Sequence, residues 1–94
     1  MRPKKHRCIR CELRETVFKP RGIPTCELEV VVLEADELEA LRLADVERLH
    51  HAQAGERMGV SRATFGRIVE SARGKVARAL VNGHAIELRA RQEG

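Results

Sequence analysis

The sequence predicts a mainly α-helical fold built around two helices that a tight turn joins within residues 50–81. Three observations predict it. Apolar residues recur at the spacing of one helix face, at positions 54 and 58 of a first helix and at 65, 68, 69 and 72 of a second. Gly59 supplies the left-handed conformation that ends the first helix, and Ser61 is a favourable N-cap for the second. The apolar stripe of the second helix continues to Leu80 and stops at Asn82-Gly83.

This pattern is typical of a helix-turn-helix, whose second helix lies in the DNA major groove. Gly55 is small where the two helices are expected to cross closely. A helical corner with a glycine turn also occurs in all-helical cores that never contact DNA. The outward residues of the second helix favour DNA, because they carry hydrogen-bond donors and positive charge. They are Ser61, Arg62, Thr64, Arg67 and Arg73.

Composition predicts one small domain of 94 residues whose core is aliphatic, since the chain has no Trp or Tyr and two Phe. A core of this size gains stability by pairing with a second copy, so we expect a homodimer. No apolar run is long enough to span a bilayer or to form a signal peptide. Three cysteines, an odd number, fit a reducing compartment. We therefore expect a cytoplasmic protein without membrane partners.

Charge is divided along the chain more strongly than the net +4 suggests. Residues 1–10 hold five basic residues and no acid, residues 11–56 hold eleven acids against five basic residues, and residues 57–94 hold eight basic residues against three acids. An acidic middle between two basic ends is typical of a polyanion-binding surface with a solvated back. Ordinary solubilising charge is the alternative, but the second basic block coincides with the second helix of the motif.

Taken in order, residues 1–16 are predicted to form a flexible basic arm, residues 17–88 the folded domain and residues 89–94 a polar tail. Two prolines and a glycine make residues 18–24 a loop, and its Phe18 and Ile23 indicate that it packs across another surface rather than extending into solvent. Asp36, with Glu39 in capping-box spacing, is expected to start a helix that ends near Val46. The outer face of that helix is expected to be charged and solvated, with Glu37, Glu39, Arg42 and Asp45 on it.

A short β pairing is expected at the ends of the domain. Residues 85–88 alternate in polarity, and residues 30–32 are β-branched. The 85–88 segment is expected to pair with 30–33 or with 16–18, within one chain or across a dimer. Val76, Ala79 and Leu80 of the long helix are expected to be buried against the N-terminal segment or a second subunit.

Cys8 and Cys11 form a C-x-x-C pair, with His6 before it and Cys26 further on. Three thiolates and an imidazole could hold a tetrahedral zinc ion. A second C-x-x-C pair is missing, so three reduced cysteines without metal is the favoured interpretation, and no cofactor is expected. His50 and His51 are adjacent and point to different faces, and His84 is expected to be exposed.

The sequence lacks the arrangements that catalysis requires. There is no phosphate-cradling glycine loop, no metal-protease motif and no Ser-His-Asp pattern. We therefore expect a binding protein rather than an enzyme.

The run from Val31 to Leu88, with the segments LEALRLAD, ERMGVSRATFGRI and ESARGKVARAL, resembles the small prokaryotic predicted DNA-binding proteins of domain-of-unknown-function family 134. The basic start and the FKPRGIP segment from Phe18 to Pro24 fit the same family. The resemblance implies a helix-turn-helix similar to the fourth region of bacterial sigma-70 factors, whose recognition helix reads promoter DNA.

We therefore expect sequence-specific binding of double-stranded DNA by a transcriptional regulator. Arg62, Thr64 and Arg67 are expected to reach base edges, with arginine to guanine as the principal contact. Other residues are expected to bind phosphates and set the register. They are Arg57, Ser61, Arg73 and Lys75, together with Arg2, Lys4, Lys5 and Arg7 of the arm.

Two other functions remain open at this point. One is a protein-interaction module that contacts RNA polymerase or another regulator through the acidic first helix without reading DNA. The other is RNA binding, which is disfavoured because Phe18 and Phe65 are the only aromatic residues and Phe65 belongs to the expected core.

Overall fold

A computed structural model describes residues 16–89 as three α-helices and a three-stranded sheet. A 3₁₀ turn at Thr25–Glu27 lies between the first two strands, and a π-helical turn at Arg42–Val46 continues the first helix. The elements in chain order are β1 (Thr16–Phe18), β2 (Val30–Leu33), α1 (Ala35–Leu41), α2 (His51–Met58), α3 (Arg62–Asn82) and β3 (Ala85–Leu88).

The sheet has the strand order β1-β3-β2, so the last strand lies between the first two. β3 pairs antiparallel with β1, where Phe18 lies opposite Ile86, and parallel with β2, where Val31 lies opposite Ile86. The expected β pairing is therefore confirmed, and it forms with both candidate segments within one chain. Thr16, which we assigned to the arm, begins β1, and the arm residues 1–15 lie outside the described residues.

The first helix begins earlier than expected. Its N-cap is Glu34 rather than Asp36, and the Glu34 backbone N–H donates to Glu37 Oε1 at 3.0 Å. Glu34 and Glu37 have the same three-residue spacing as Asp36 and Glu39, so spacing alone could not separate the two starts. The expected end near Val46 is confirmed, through a π-helical turn in which the Glu47 N–H donates to the Arg42 carbonyl.

Two apolar clusters form the core along α3. Phe65 and Val69, in its first half, pack with Ala40, Leu43 and Ala54 of the other two helices. Ala72 and Ala79, in its second half, pack with Leu33 and Ile86 of the sheet. α3 is therefore the element that joins the helical half of the domain to the sheet.

Glu37 is buried, which corrects the expectation that it lies on a solvated outer face of α1. Its residue exposure is 8%, and its carboxylate accepts hydrogen bonds from Lys75 Nζ at 2.8 Å and from Ser71 Oγ at 2.8 Å. Lys75 Nζ also donates to the Val32 carbonyl oxygen at 2.9 Å. One ion pair thus connects α1, α3 and the edge strand β2.

The surroundings of Glu37 favour its ionised form. Burial is the largest single influence and opposes ionisation, but hydrogen bonds from Lys75, Glu34 and Ser71 and the charge of Lys75 outweigh it, so the pKa of Glu37 lies below its ordinary value. The carboxylate therefore remains charged and paired throughout the neutral range.

Leu80 is exposed within one chain, so the described part of the N-terminal segment does not cover it, and cover by a second subunit stays a prediction. Val76 and Ala79 pack against the sheet cluster, whereas Leu80 is 73% exposed. Phe18 is also 59% exposed within one chain, so the surface against which this loop is expected to pack is not supplied to Phe18 by the described residues. Within residues 16–89, no helix combines the length and apolarity needed to cross a membrane.

We predict that Lys75→Met lowers the free energy of unfolding by about 2 kcal/mol, because Glu37 then carries a buried charge without its cation and the Val32 carbonyl loses its donor. Urea denaturation measures the change. Arg42→Met removes an exposed pair with Glu39 and Glu47 and serves as the control, with an expected loss below about 1 kcal/mol. Equal losses in the two variants would contradict a special role for the buried pair.

We also predict an acid-sensitive contribution from the same pair. Although burial opposes ionisation, the folded-state pKa of Glu37 lies below its unfolded-state value, because hydrogen bonds and the charge of Lys75 favour the carboxylate. The resulting stability is fully present above that value and is lost as the pH falls through the folded-state pKa. Urea midpoints at pH 7 and about pH 3 should therefore differ less in Glu37→Gln than in the unsubstituted protein. If the urea midpoint falls equally in both proteins between the two pH values, the acid sensitivity belongs to other carboxylates.

Candidate nucleic-acid interface

The turn between α2 and α3 has the local geometry that the sequence predicts. α2 ends at Gly59, which adopts the left-handed conformation with φ 75°. Ser61 is the N-cap of α3, and its Oγ accepts the Thr64 backbone N–H at 3.1 Å. The start of α3 is thus held by its own cap. The helix ends at Asn82, followed by a left-handed Gly83.

Gly55 allows α2 to approach this turn closely. A Cβ atom built on Gly55 would lie 2.8 Å from the Val60 backbone oxygen and 3.2 Å from the Ser61 oxygen. Backbone atoms held by a turn cannot move aside as a flexible side chain can. Gly55 is therefore required for a close approach, but to the backbone of the turn rather than to a crossing helix.

The two helices are also held together by the packing of Phe65. Its ring is fully buried, and Ala54 of α2 lies in the same apolar cluster. The ring of His51, in the first turn of α2, meets the Phe65 ring edge-on with centroids 5.2 Å apart. These contacts fix α2 against the first turns of α3 and leave the opposite side of both helices exposed.

Exposed arginines without partners collect around this unit. Arg57 lies near the end of α2, and Arg62 and Arg67 lie in the first turns of α3. No ion pair or side-chain hydrogen bond engages any of the three within residues 16–89. Their positive charge is therefore available to an external anion.

Arg73 and Lys75, two expected phosphate contacts further along α3, engage carboxylates of the chain instead. Arg73 makes two hydrogen bonds to Asp45, at 2.7 Å and 3.1 Å, and these hold the pKa of Asp45 below its ordinary value. Lys75 is held by Glu37 and by the Val32 carbonyl. Within residues 16–89, the cations of α3 without an intramolecular partner are thus Arg62 and Arg67 in its first turns and Arg78 near its end.

The two hydroxyl residues of the predicted site belong to the helix cap. Ser61 Oγ donates to Thr64 Oγ1 at 3.0 Å while it accepts the Thr64 backbone N–H. Thr64 is half-buried, and its hydroxyl proton is not used in this bond. Thr64 can therefore still donate one hydrogen bond to a ligand, whereas Ser61 has its proton committed.

The metal candidates are not brought together in the described part of the chain. Cys26 is a free, exposed thiol in the 3₁₀ turn, and no group of three or more potential ligands forms among residues 16–89. His6, Cys8 and Cys11 lie outside the described residues, as do the expected arm contacts. Those are Arg2, Lys4, Lys5 and Arg7.

Sequence reasoning missed Arg48, which lies just before α2. It adopts a left-handed backbone with φ 61°, a conformation that non-glycine residues rarely take, and it is exposed without a partner in the described chain. No motif marked it. The burial of Glu37 in an ion pair was also missed. A lysine beside the apolar stripe of α3 was the signal that could have predicted a buried acidic partner.

Residues 16–89 form a small domain in which the first half of α3 packs on the other two helices and its second half packs on a mixed three-stranded sheet. The exposed side of α2 and of the first turns of α3 is cationic. It matches the profile of a family described as protein of unknown function DUF134 over residues 1–92. The chain belongs to this family, whose members are also called UPF0251 proteins.

Relatives from several bacteria match over most of the chain. A UPF0251 protein of Vibrio vulnificus strain YJ016 is 56% identical over 87 residues, which cover 93% of this chain and 87% of the relative. One from Shewanella sediminis is 50% identical over 91 residues, with 93% and 91% covered. One from Rhodospirillum rubrum is 52% identical over 87 residues, with 93% and 61% covered. No solved structure matches the chain significantly.

We predict that Gly55→Ala destabilises the domain by about 1–3 kcal/mol, because the new methyl group meets the backbone of the turn. This loss exceeds the gain of up to about 1 kcal/mol that alanine brings to a helix interior. Gly74→Ala is the matched control, since its Cβ would meet only Arg78 Nη1 at 3.8 Å, and it should be neutral or stabilising. Urea denaturation measures the free energy of unfolding of both variants. A Gly55→Ala variant that is more stable than the unsubstituted protein would contradict the close approach of α2 to the turn.

Proposed function

We propose that this protein binds double-stranded DNA sequence-specifically and regulates transcription, with α2 and α3 as a helix-turn-helix similar to that of the fourth region of sigma-70 factors. The observation that carries the proposal is the separation of cations along α3. Among the described residues, the arginines of its first turns are exposed and without partners, whereas Arg73 and Lys75 of its middle neutralise Asp45 of the π-helical turn and Glu37 of α1.

The dimensions of the unit support the proposal. An α-helix with its side chains fits the width of the major groove, and the residues that reach base edges come from its N-terminal turns. Arg62 and Arg67 meet this requirement, because both are exposed near the start of α3. A capped, packed start keeps these side chains on a rigid base.

Roles follow from position and from the contacts that each side chain already makes. Arg62 and Arg67 read base edges, and Thr64 donates its remaining hydroxyl proton. Arg57 binds a phosphate beside the groove, and Arg48 reaches the backbone from the start of α2. Arg73 chiefly holds α3 against the π-helical turn and Lys75 holds it against α1 and β2, and the basic arm adds salt-dependent affinity.

A second candidate function is a contact with RNA polymerase or another regulator through α1. An open groove of about 730 Å³ runs beside this helix, with Leu38, Leu41 and Val46 on its apolar wall and Glu39 and Asp45 among its charged residues. Exposed Asp36 lies on the same helix. If an Asp36→Lys variant loses transcriptional regulation while its DNA binding is unchanged, this result would favour the second candidate function.

The experiment is selection of bound duplexes from a random pool by the full-length protein, followed by binding measurements on the enriched site. Arg67→Ala should relax preference at one base-pair position and weaken binding to the selected site by about 1–3 kcal/mol. Arg57→Ala should weaken binding to all sequences alike and reduce the salt slope by about one unit.

Arg42→Ala is the control for both variants, because it removes the same charge from a side chain that is paired with Glu39 and Glu47. Its affinity should stay within about twofold of the unsubstituted protein. An enriched motif whose base preferences survive Arg67→Ala would remove Arg67 from base reading. Absence of any enriched motif would contradict sequence-specific binding.

A further inference from the structure

We infer that the C-terminal end of α3, with the adjoining end of the sheet, is the interface through which two copies of this chain associate. The starting observation is the distribution of exposed large apolar residues in residues 16–89. Val46 lies on the π-helical turn, and the other five lie at the end of the domain that holds the C-terminus of α3, away from Arg62 and Arg67. Those five are Phe18, Ile23, Val30, Leu80 and Val81.

Topology places these five residues at one end of the domain. Leu80 and Val81 are in the last turn of α3, and β3 begins three residues after the helix ends. Val30 lies opposite Ala85 at the start of β3, and Phe18 lies opposite Ile86. The loop with Ile23 leaves and returns at this same end, and Lys19 Nζ donates to the Ile23 carbonyl at 2.6 Å.

The exposed surface has the size that a stable dimer needs. Leu80 is 73% exposed, Val81 83% and Phe18 59%, and Val30 and Ile23 add 41% and 38%. Together these fractions amount to roughly 500 Å² of largely apolar surface. A standard interface buries about 800 Å² per partner, of which somewhat more than half is apolar. Val30 projects from the sheet face opposite to that of Phe18, because the two pair with consecutive residues of β3, so the remaining four residues supply most of that apolar share.

The charges around the five residues favour a second copy over a polyanion or a lipid surface. Arg21 and Arg78 are exposed here without partners in the described chain. Glu27 is exposed in the 3₁₀ turn, and the Glu29 side chain is 81% exposed. Both signs are therefore present, and a two-fold axis can set arginines of one copy against glutamates of the other. An anionic partner would meet the glutamates as well as the arginines.

This interface leaves the helix-turn-helix surface exposed on both copies. α3 has 21 residues, so its two ends are about 30 Å apart. Association at the C-terminal end does not cover Arg62 or Arg67. Dimer formation is measured without DNA, so its outcome is separate from that of the proposed DNA binding.

The test is sedimentation equilibrium of the full-length protein from micromolar to several hundred micromolar concentration. We expect a mass of twice the 10.6 kDa chain for the unsubstituted protein. Leu80→Glu places two buried charges in a symmetric interface and should weaken dimer formation by at least about a hundredfold. Val81→Glu is an independent second variant with the same expected direction.

Val46→Glu is the matched control, since Val46 is 74% exposed and lies away from this end of the domain. It should dimerise as the unsubstituted protein does, and far-UV circular dichroism should be the same for all variants. A monomeric unsubstituted protein at every concentration would overturn the inference. So would a dimer that survives both Leu80→Glu and Val81→Glu.

Discussion

The ion pair between Glu37 and Lys75 is the interaction on which the rest of the arrangement depends. It connects the first helix, the long helix and the edge strand at a single point. Removing a carboxylate from water is costly, and this cost is offset only because three donors converge on the carboxylate. The lysine in turn satisfies the outward carbonyl of Val32, an edge-strand group that would otherwise be available to another strand.

This pair, with Arg73 and Asp45, also determines which charges remain for function. Both cations lie in the middle of α3 and are neutralised by acids of α1 or of the π-helical turn. The first turns of the same helix keep their arginines, and its last turn presents Leu80 and Val81 to solvent. One helix therefore has a cationic start, a packed middle and an end with exposed apolar residues, and this distribution is the basis of both proposals.

Features that depend on neighbouring residues could be predicted from the sequence. The ends of α2 and α3 follow from Gly59, Ser61 and Gly83, because left-handed glycines and a serine cap act within one helical turn. The buried positions of the first half of α3 follow from helical periodicity. The start of α1 could not be predicted as surely, because two pairs of acids share the capping-box spacing and only a distant lysine favours one of them.

By itself, the sequence determined the family, the helical hairpin and its turn, and the basic character of the second helix, all of which are local or compositional. Only the tertiary structure decided that β3 lies between β1 and β2, that Glu37 is buried, and that Leu80 is exposed. The physical reason is that a periodic pattern gives the face of a helix but not what packs against that face. For a charged residue, ion pairing across 38 residues of chain decides between solvent and interior.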